Sequence, residues 1–278
     1  MNFKNLLTRV VTGVIYIAVV LFGILGGEYS FVFVFGSFLG IGLYEFYRMV
    51  EKNTTHAISK IFNITSGIAI FLSCFLYLEQ IYTAALPIII AIYLLILFAS
   101  AIFINRGDIF KAIVYSVFGQ IYITLPLCLL MFISYQYKTV DTQYHYIFVL
   151  AIFILIWVND TAAYFFGSLI GKRKLIERIS PKKSVEGFIS GIVFCVITAF
   201  ILARFYTSYS LPFWIGFAVV VSLFATLGDL FESLIKRTYG VKDSGNLIPG
   251  HGGILDRIDS LLITIPAIYL YISVILAL

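Results

Sequence analysis

The chain has 278 residues, 61% of them hydrophobic and only 12% charged, with a formal net charge of +5. Soluble domains average roughly 25% charged residues, so this composition excludes a water-soluble globule. The small basic excess fits loops facing anionic lipid better than nucleic acid.

Nine apolar segments follow one another, at approximately Val10–Gly26, Tyr29–Tyr47, Ile61–Leu78, Ala84–Ile104, Ala112–Ser134, Tyr146–Phe166, Phe188–Phe205, Leu211–Leu227 and Ser260–Leu278. About 20 such residues cross a ~30 Å hydrocarbon core as a helix. The expected fold is therefore all-α, a polytopic membrane protein of about nine transmembrane helices. Lys4 and Arg9 precede the first run as in a signal peptide. No small-residue cleavage site and soluble domain follow, so the first span is read as retained. One membrane domain over 1–278 is expected, with N-terminal spans in 1–150 and the polar motifs in 151–278. Cys74, Cys128 and Cys195 sit singly in apolar segments, without a CxxC pair, and read as ordinary core- or lipid-facing residues.

Loop charge sets the expected orientation. With the N-terminus cytoplasmic, every one of the 19 lysines and arginines except Lys138 and Arg204 falls on the cytoplasmic side, as the positive-inside rule requires. That places the C-terminus outside and both charged polar islands, around 172–187 and 229–260, in the cytoplasm.

The first five segments carry little chemistry. Glu45, near the end of the second, reads as an interfacial acid pairing with Arg48 at i+3. His56 and His145 lie in loops and receive no role. The sixth segment differs, because Asn159 and Asp160 lie deep in an apolar run. A carboxylate inside a span costs about 2.5–3.5 kcal/mol on insertion scales and is a functional candidate by default. Helical spacing puts Asp160, Tyr164, Gly167 and Gly171 on one stripe. The two glycines read as a close-packing device. The run GSLIGKR lacks the four-residue spacer and the Ser/Thr of a P-loop.

The next stretch, ISPKKSVEG, holds Lys182 and Lys183 beside a helix start, with Ser180 or Ser184 as its cap and Pro181 or Val185 as its beginning. Lysines at such a start suit an anion; a basic loop touching lipid headgroups is the plainer alternative.

The eighth segment runs without a break into ATLGDLFESLIKR, so one long helix extending into the cytoplasm is expected. Asp229, Glu232, Ser233 and Lys236 share a face at i, i+3, i+4 and i+7, and Asp256, Asp259 and Ser260 repeat that spacing at the start of the ninth. Two such carboxylate faces can hold a hard cation through oxygen ligands. Between them, Pro249-Gly250-His251-Gly252-Gly253 forms a turn whose N–H groups suit phosphate oxygens. A solvated Glu–Lys-laced helix explains Glu232 and Lys236 alone, but not the three aspartates beside a GHGG turn.

From Ser233 to Asp259 the chain reads Ser-x-x-Lys-Arg, four residues, then Lys-Asp-x-Gly-x-x-Ile-Pro-x-His-Gly-Gly-x-x-Asp-Arg-x-Asp. This run resembles the signature of the phosphatidate cytidylyltransferases, or CDP-diacylglycerol synthases, at every fixed position, and NDTAAYFFGSLIGK and ISPKKSVEG resemble the family's pattern upstream. The resemblance covers Asn159 to Ser260 well; the first 150 residues resemble the family only as a series of spans. It implies transfer of CMP from CTP to phosphatidate, giving CDP-diacylglycerol and pyrophosphate for phospholipid biosynthesis at the cell membrane. It further implies a Mg²⁺ site, with K⁺ beside it, at Asp229, Asp256 and Asp259, and Ser233 close by.

Both substrates are anionic, so positioning and charge neutralisation should supply most of the catalysis. Asp256 and Asp259 are the first choice as metal ligands, completed by Asp229. Lys236, Arg237, Lys242 and Arg257 are expected at the triphosphate or the lipid phosphate, assisted by Lys182 and Lys183, with Gly252, Gly253 and Asp160 in the substrate site. The phosphate nucleophile is already ionised, so His251 is read as a hydrogen-bond donor rather than a base. The expected partners are CTP, phosphatidate and the bilayer, with no nucleic acid; homodimerisation is left open. An ion-coupled transporter using Asp160 and Asp229 is the rival from another class, but no half-to-half repeat is visible. A lipid or prenol kinase is the nearer rival, and should lack the complete GHGGxxDRxD run.

Overall fold

The computed structural model describes residues 3–51, 59–103, 108–136, 143–248 and 252–277. Among them it forms nine helices, and eight are long and apolar enough to cross a membrane. They are α1 (Phe3–Leu25), α2 (Glu28–Glu51), α3 (Lys60–Leu78), α4 (Ala85–Phe103), α5 (Ile109–Ile133), α6 (Ile147–Ile170), α7 (Val185–Phe205), α8 (Leu211–Thr238) and α9 (Leu255–Ala277). α1 contributes the shorter apolar stretch, Val10–Leu25. The protein is a multi-pass integral membrane protein, as its composition implies. Its contacts group it into two compact units, 1–135 with 239–257, and 136–238 with 258–278.

In the first unit, α2 carries the core. Phe31, Phe35, Leu39, Leu43, Phe46 and Val50 are all buried and recur at steps of three or four, the period of one helix face. α4 is the opposite case: only 11% of its span is buried, and a helix that apolar on its exposed side belongs against lipid. A buried polar network ties α2, α3, α4 and α5 together. Asn63 Nδ2 donates to Ser116 Oγ at 3.0 Å and its Oδ1 accepts from the Tyr93 hydroxyl at 3.0 Å. The Tyr47 hydroxyl donates to the Ser116 carbonyl at 2.7 Å, and Gln120 Nε2 to the Asn63 carbonyl at 2.7 Å. Leaving any one buried partner unmet would cost about 1–3 kcal/mol, so the network sets helix register. At Gln120–Thr124 α5 widens into a π turn, which turns Gln120 and Thr124 into this network.

In the second unit, α6 and α7 approach through small residues. A Cβ on Gly187 would lie 2.6 Å from the Ala163 carbonyl oxygen and 3.1 Å from Gly167 Cα. The close-packing reading of Gly167 is therefore correct, and Gly171 does the same against Ser184. The all-helical expectation omits one feature: an antiparallel hairpin of β1 (Lys174–Ile176) and β2 (Ser180–Ser184) lies between α6 and α7, with Ile176 opposite Ser180. Ser180 and Pro181 are strand residues, and Ser184 caps α7 by accepting from the Gly187 amide at 3.1 Å. Glu186, in the first turn of α7, accepts from the Lys172 and Arg173 amides at 3.1 and 3.2 Å, which anchors the hairpin's entry. An aromatic cluster of Phe148, Tyr209, Phe213, Trp214 and Phe217 joins α6 to α8. α8 runs 28 residues without a break, about 42 Å at 1.5 Å per residue, longer than the ~30 Å apolar core. The expected long helix is present. α9 begins at Leu255 rather than Ser260.

Candidate active site

In the second unit some of the acidic and basic residues singled out above, Asp229, Asp259, Lys183 and Lys236, interact. Asp229 on α8 accepts the Lys183 ammonium at 2.7 Å from β2, and Ser233 Oγ donates to Asp229 Oδ1 at 3.3 Å. Asp259 on α9 lies within the field of Asp229 and, more weakly, of Asp160, with Lys236 opposing both. Lys236 itself forms an ion pair with Glu232, one turn back and 1% exposed. α8 and α9 can approach so closely because Gly228 has no side chain. A Cβ there would lie 2.7 Å from the Asp259 carbonyl oxygen and 2.9 Å from Ser260 Cα, both backbone atoms that cannot step aside. Asp160 is exposed and accepts from Asn159 Nδ2 at 3.2 Å. Asn159 is buried, accepts from Ser222 Oγ at 2.6 Å, and sits against Gly191 of α7, so it ties α6, α7 and α8 behind the acidic group.

In the first unit, the segment after α8 folds around Asp256. Its Oδ2 accepts from the Ser244 amide at 2.9 Å, Ser244 Oγ at 2.9 Å and the Gly253 amide at 2.8 Å. Ile248 and Gly252 pair as an antiparallel bridge, the Ile248 amide donating to the Gly252 carbonyl at 2.9 Å. Gly252 has φ +86°, and a Cβ there would lie 2.5 Å from Asp256 Oδ2. The glycine is thus demanded twice, by its left-handed backbone and by the carboxylate. Lys242 and Arg257 are exposed in this unit, as are Lys182 and Arg237 in the other. His251 lies outside the described residues.

The sequence reading of Glu45 is corrected. Its carboxylate points inward, 4% exposed, while Arg48 is exposed. It accepts from Ser244 Oγ at 3.1 Å and from the Ile254 and Leu255 amides at 3.2 and 2.9 Å. Gly228 and Asn159 were also underread: the signal was a glycine directly before Asp229, and an amide directly before Asp160, inside apolar runs.

The donors of the second unit suit a hard cation. Asp229 and Asp259 stand on helices that approach closely at Gly228, and a cation bound by both would relieve the repulsion of like charges. Among the described residues no group of three or more His, Cys, Asp or Glu is placed to hold a metal ion. In general Mg²⁺ is bound through one or two carboxylates and completed by water and substrate phosphates rather than by a protein cage.

Comparison with known proteins decides the family. Residues 7–275 match the model of the cytidylyltransferase family. The chain belongs to that family. A phosphatidate cytidylyltransferase of Bacillus subtilis (strain 168) is 33% identical over 267 residues, 95% of this chain and 97% of that protein. Proteins of the same name from Staphylococcus aureus (strain COL) and Staphylococcus haemolyticus (strain JCSC1435) are 46% and 47% identical over 132 and 134 residues. The chain spans about half the length of these two staphylococcal relatives in those matches, 50% of each.

Proposed function

We propose that the protein is a phosphatidate cytidylyltransferase. Family membership and the names of its relatives support the reaction class. The observation that carries the reading is the meeting of Asp229, Lys183 and Asp259 in one unit. It is an arrangement that suits a metal-bound triphosphate beside a second phosphate.

A phosphate oxygen of phosphatidate attacks the α-phosphorus of CTP. The bond to the α–β bridging oxygen breaks, and pyrophosphate leaves with that electron pair. Asp229 and Asp259 would hold Mg²⁺, with K⁺ as a further candidate cation, and such a metal would supply charge neutralisation for the phosphates. Lys183 and Lys236 set the charge balance of the two aspartates, and Ser233 orients Asp229 by its hydrogen bond. Asp160 adds to the same field. Lys182, Arg237, Lys242 and Arg257 bind substrate phosphates. In the first unit Asp256 holds Ser244 and Gly253, and Gly252, Gly253 and His251 are proposed for substrate binding. No general base is needed, because the nucleophile is ionised at neutral pH.

The site faces the cytoplasm, where CTP is found, a reading supported by the loop-charge asymmetry. The whole chain then acts as one catalytic membrane domain, and the lipid substrate reaches it without leaving the bilayer, an exit costing about 0.8 kcal/mol per CH₂. The test uses CTP labelled at the α- or the γ-phosphate, with phosphatidate and Mg²⁺. The reading expects α-label in the lipid and γ-label in pyrophosphate. Transfer of γ-label to lipid would make the protein a kinase instead.

A further inference from the structure

We infer that Glu45 is a positioning residue for the nucleotide-binding segment of the proposed reaction: from α2 it caps the N-terminus of α9 and holds Ser244 at the same point. This inference rests on the cytidylyltransferase reading and adds to it a residue about two hundred positions upstream of the signature. A new helix presents amides with no partner in its own first turn. Here the amides of Ile254 and Leu255, at the start of α9, both donate to the Glu45 carboxylate. The charge is well placed, since an anion at a helix N-terminus is stabilised by the free N–H groups and the dipole. Ser244 Oγ, at the other end of the segment, reaches the same carboxylate at 3.1 Å. Glu45 thus ties both ends of the glycine-rich stretch to one point.

The glycines of the stretch are explained by this carboxylate. A Cβ on Gly245 would collide with Glu45 Oε1, and one on Gly253 with both Glu45 oxygens and Ser244 Oγ. Two of its glycines are therefore shaped around a side chain outside the motif. Burying a carboxylate is costly unless its lone pairs are met. Two backbone amides, 209 and 210 positions away, meet this one, and the Ser244 hydroxyl is shared between it and Asp256. An interfacial acid with no further task would have stayed at the surface beside Arg48.

The experiment compares full-length wild type, Glu45→Gln and Glu45→Asp in detergent. Hydrogen exchange is followed in the peptide spanning 252–260, and steady-state kinetics are run with CTP and phosphatidate. Glu45→Gln is expected to stay folded, lose protection at Ile254 and Leu255, and raise KM for CTP about tenfold or more, with KM for phosphatidate unchanged. Glu45→Asp, which keeps the charge one methylene further back, should fall between the two. Should Glu45→Gln give no folded protein, Gly245→Ala carries the test, because it pushes on the same carboxylate from the segment side. A loss of Vmax at unchanged KM for CTP, or unchanged exchange at 254–255, would overturn the inference by reducing Glu45 to a stability role. A wild type that forms no CDP-diacylglycerol would instead overturn the reading on which it rests, and the exchange result would still report the tether on its own.

Discussion

Lys183, on the second strand of the hairpin, places its ammonium 2.7 Å from the Asp229 carboxylate of α8. The contact joins two stretches that the sequence separates by 46 positions, and it balances one of two neighbouring acids. Removing the charge should leave Lys236 alone to offset the repulsion between Asp229 and Asp259. A charge-assisted hydrogen bond contributes about 1.5–3 kcal/mol, and 1.36 kcal/mol is tenfold in rate. Lys183→Met should therefore lower kcat/KM by roughly 10- to 100-fold, and Lys183→Arg by less. Steady-state turnover of CTP with phosphatidate checks this, and a wild-type rate in Lys183→Met would count against it.

Gly228→Ala should be far more harmful than an alanine elsewhere on α8. The new methyl would press on backbone at Asp259 and Ser260, so the helices must separate and carry Asp229 away from Asp259. Overpacking of this kind costs about 1–3 kcal/mol. The expected outcome is a lower melting temperature together with a loss of activity that added Mg²⁺ recovers only in part. A thermal melt and a Mg²⁺ titration measure the two.

Gly252 and Gly240 allow a matched comparison. Both have positive φ, +86° and +65°, but nothing lies within 4 Å of a Cβ on Gly240, whereas Gly252 faces Asp256. Gly240→Ala should show only the backbone strain, about 1–2 kcal/mol. Gly252→Ala adds the collision with the carboxylate and should raise KM for CTP as well as lower stability. Equal behaviour of the two variants would refute the role given to Asp256.

Metal dependence follows from the like charges of Asp229 and Asp259. Chelation should abolish CDP-diacylglycerol formation and Mg²⁺ should restore it. Asp229→Asn should raise the Mg²⁺ concentration needed for half-maximal rate, because one of two proposed anionic ligands is gone. Activity that persists in excess chelator would exclude the metal from the mechanism.

What was legible in the sequence was local. The spans follow from apolar runs of sufficient length, and the shared face of Asp229, Ser233 and Lys236 follows from helical spacing, which α8 realises without a break. Ser184 could be named as one of two caps, and the structure selects it. The hairpin was hidden because its strands of three and five residues are largely exposed and carry no alternating apolar pattern. Glu45 was misread for a related reason. Its nearest neighbour in sequence is Arg48, whereas its hydrogen-bond partners lie 199 to 210 residues away, a distance that no periodicity spans. Gly228 could be seen only as a small residue, since what it must avoid is the backbone of another helix.

The most direct measurement sets wild type beside Asp259→Asn at equal amounts of folded protein, following α-labelled CTP into lipid with phosphatidate and Mg²⁺ present. Wild type should yield labelled CDP-diacylglycerol with one pyrophosphate per turnover. Asp259→Asn should be slower by about 100-fold or more, the loss expected when a metal ligand worth several kcal/mol is removed. Lipid that stays unlabelled with wild type, or an Asp259→Asn enzyme that matches it, would contradict the account.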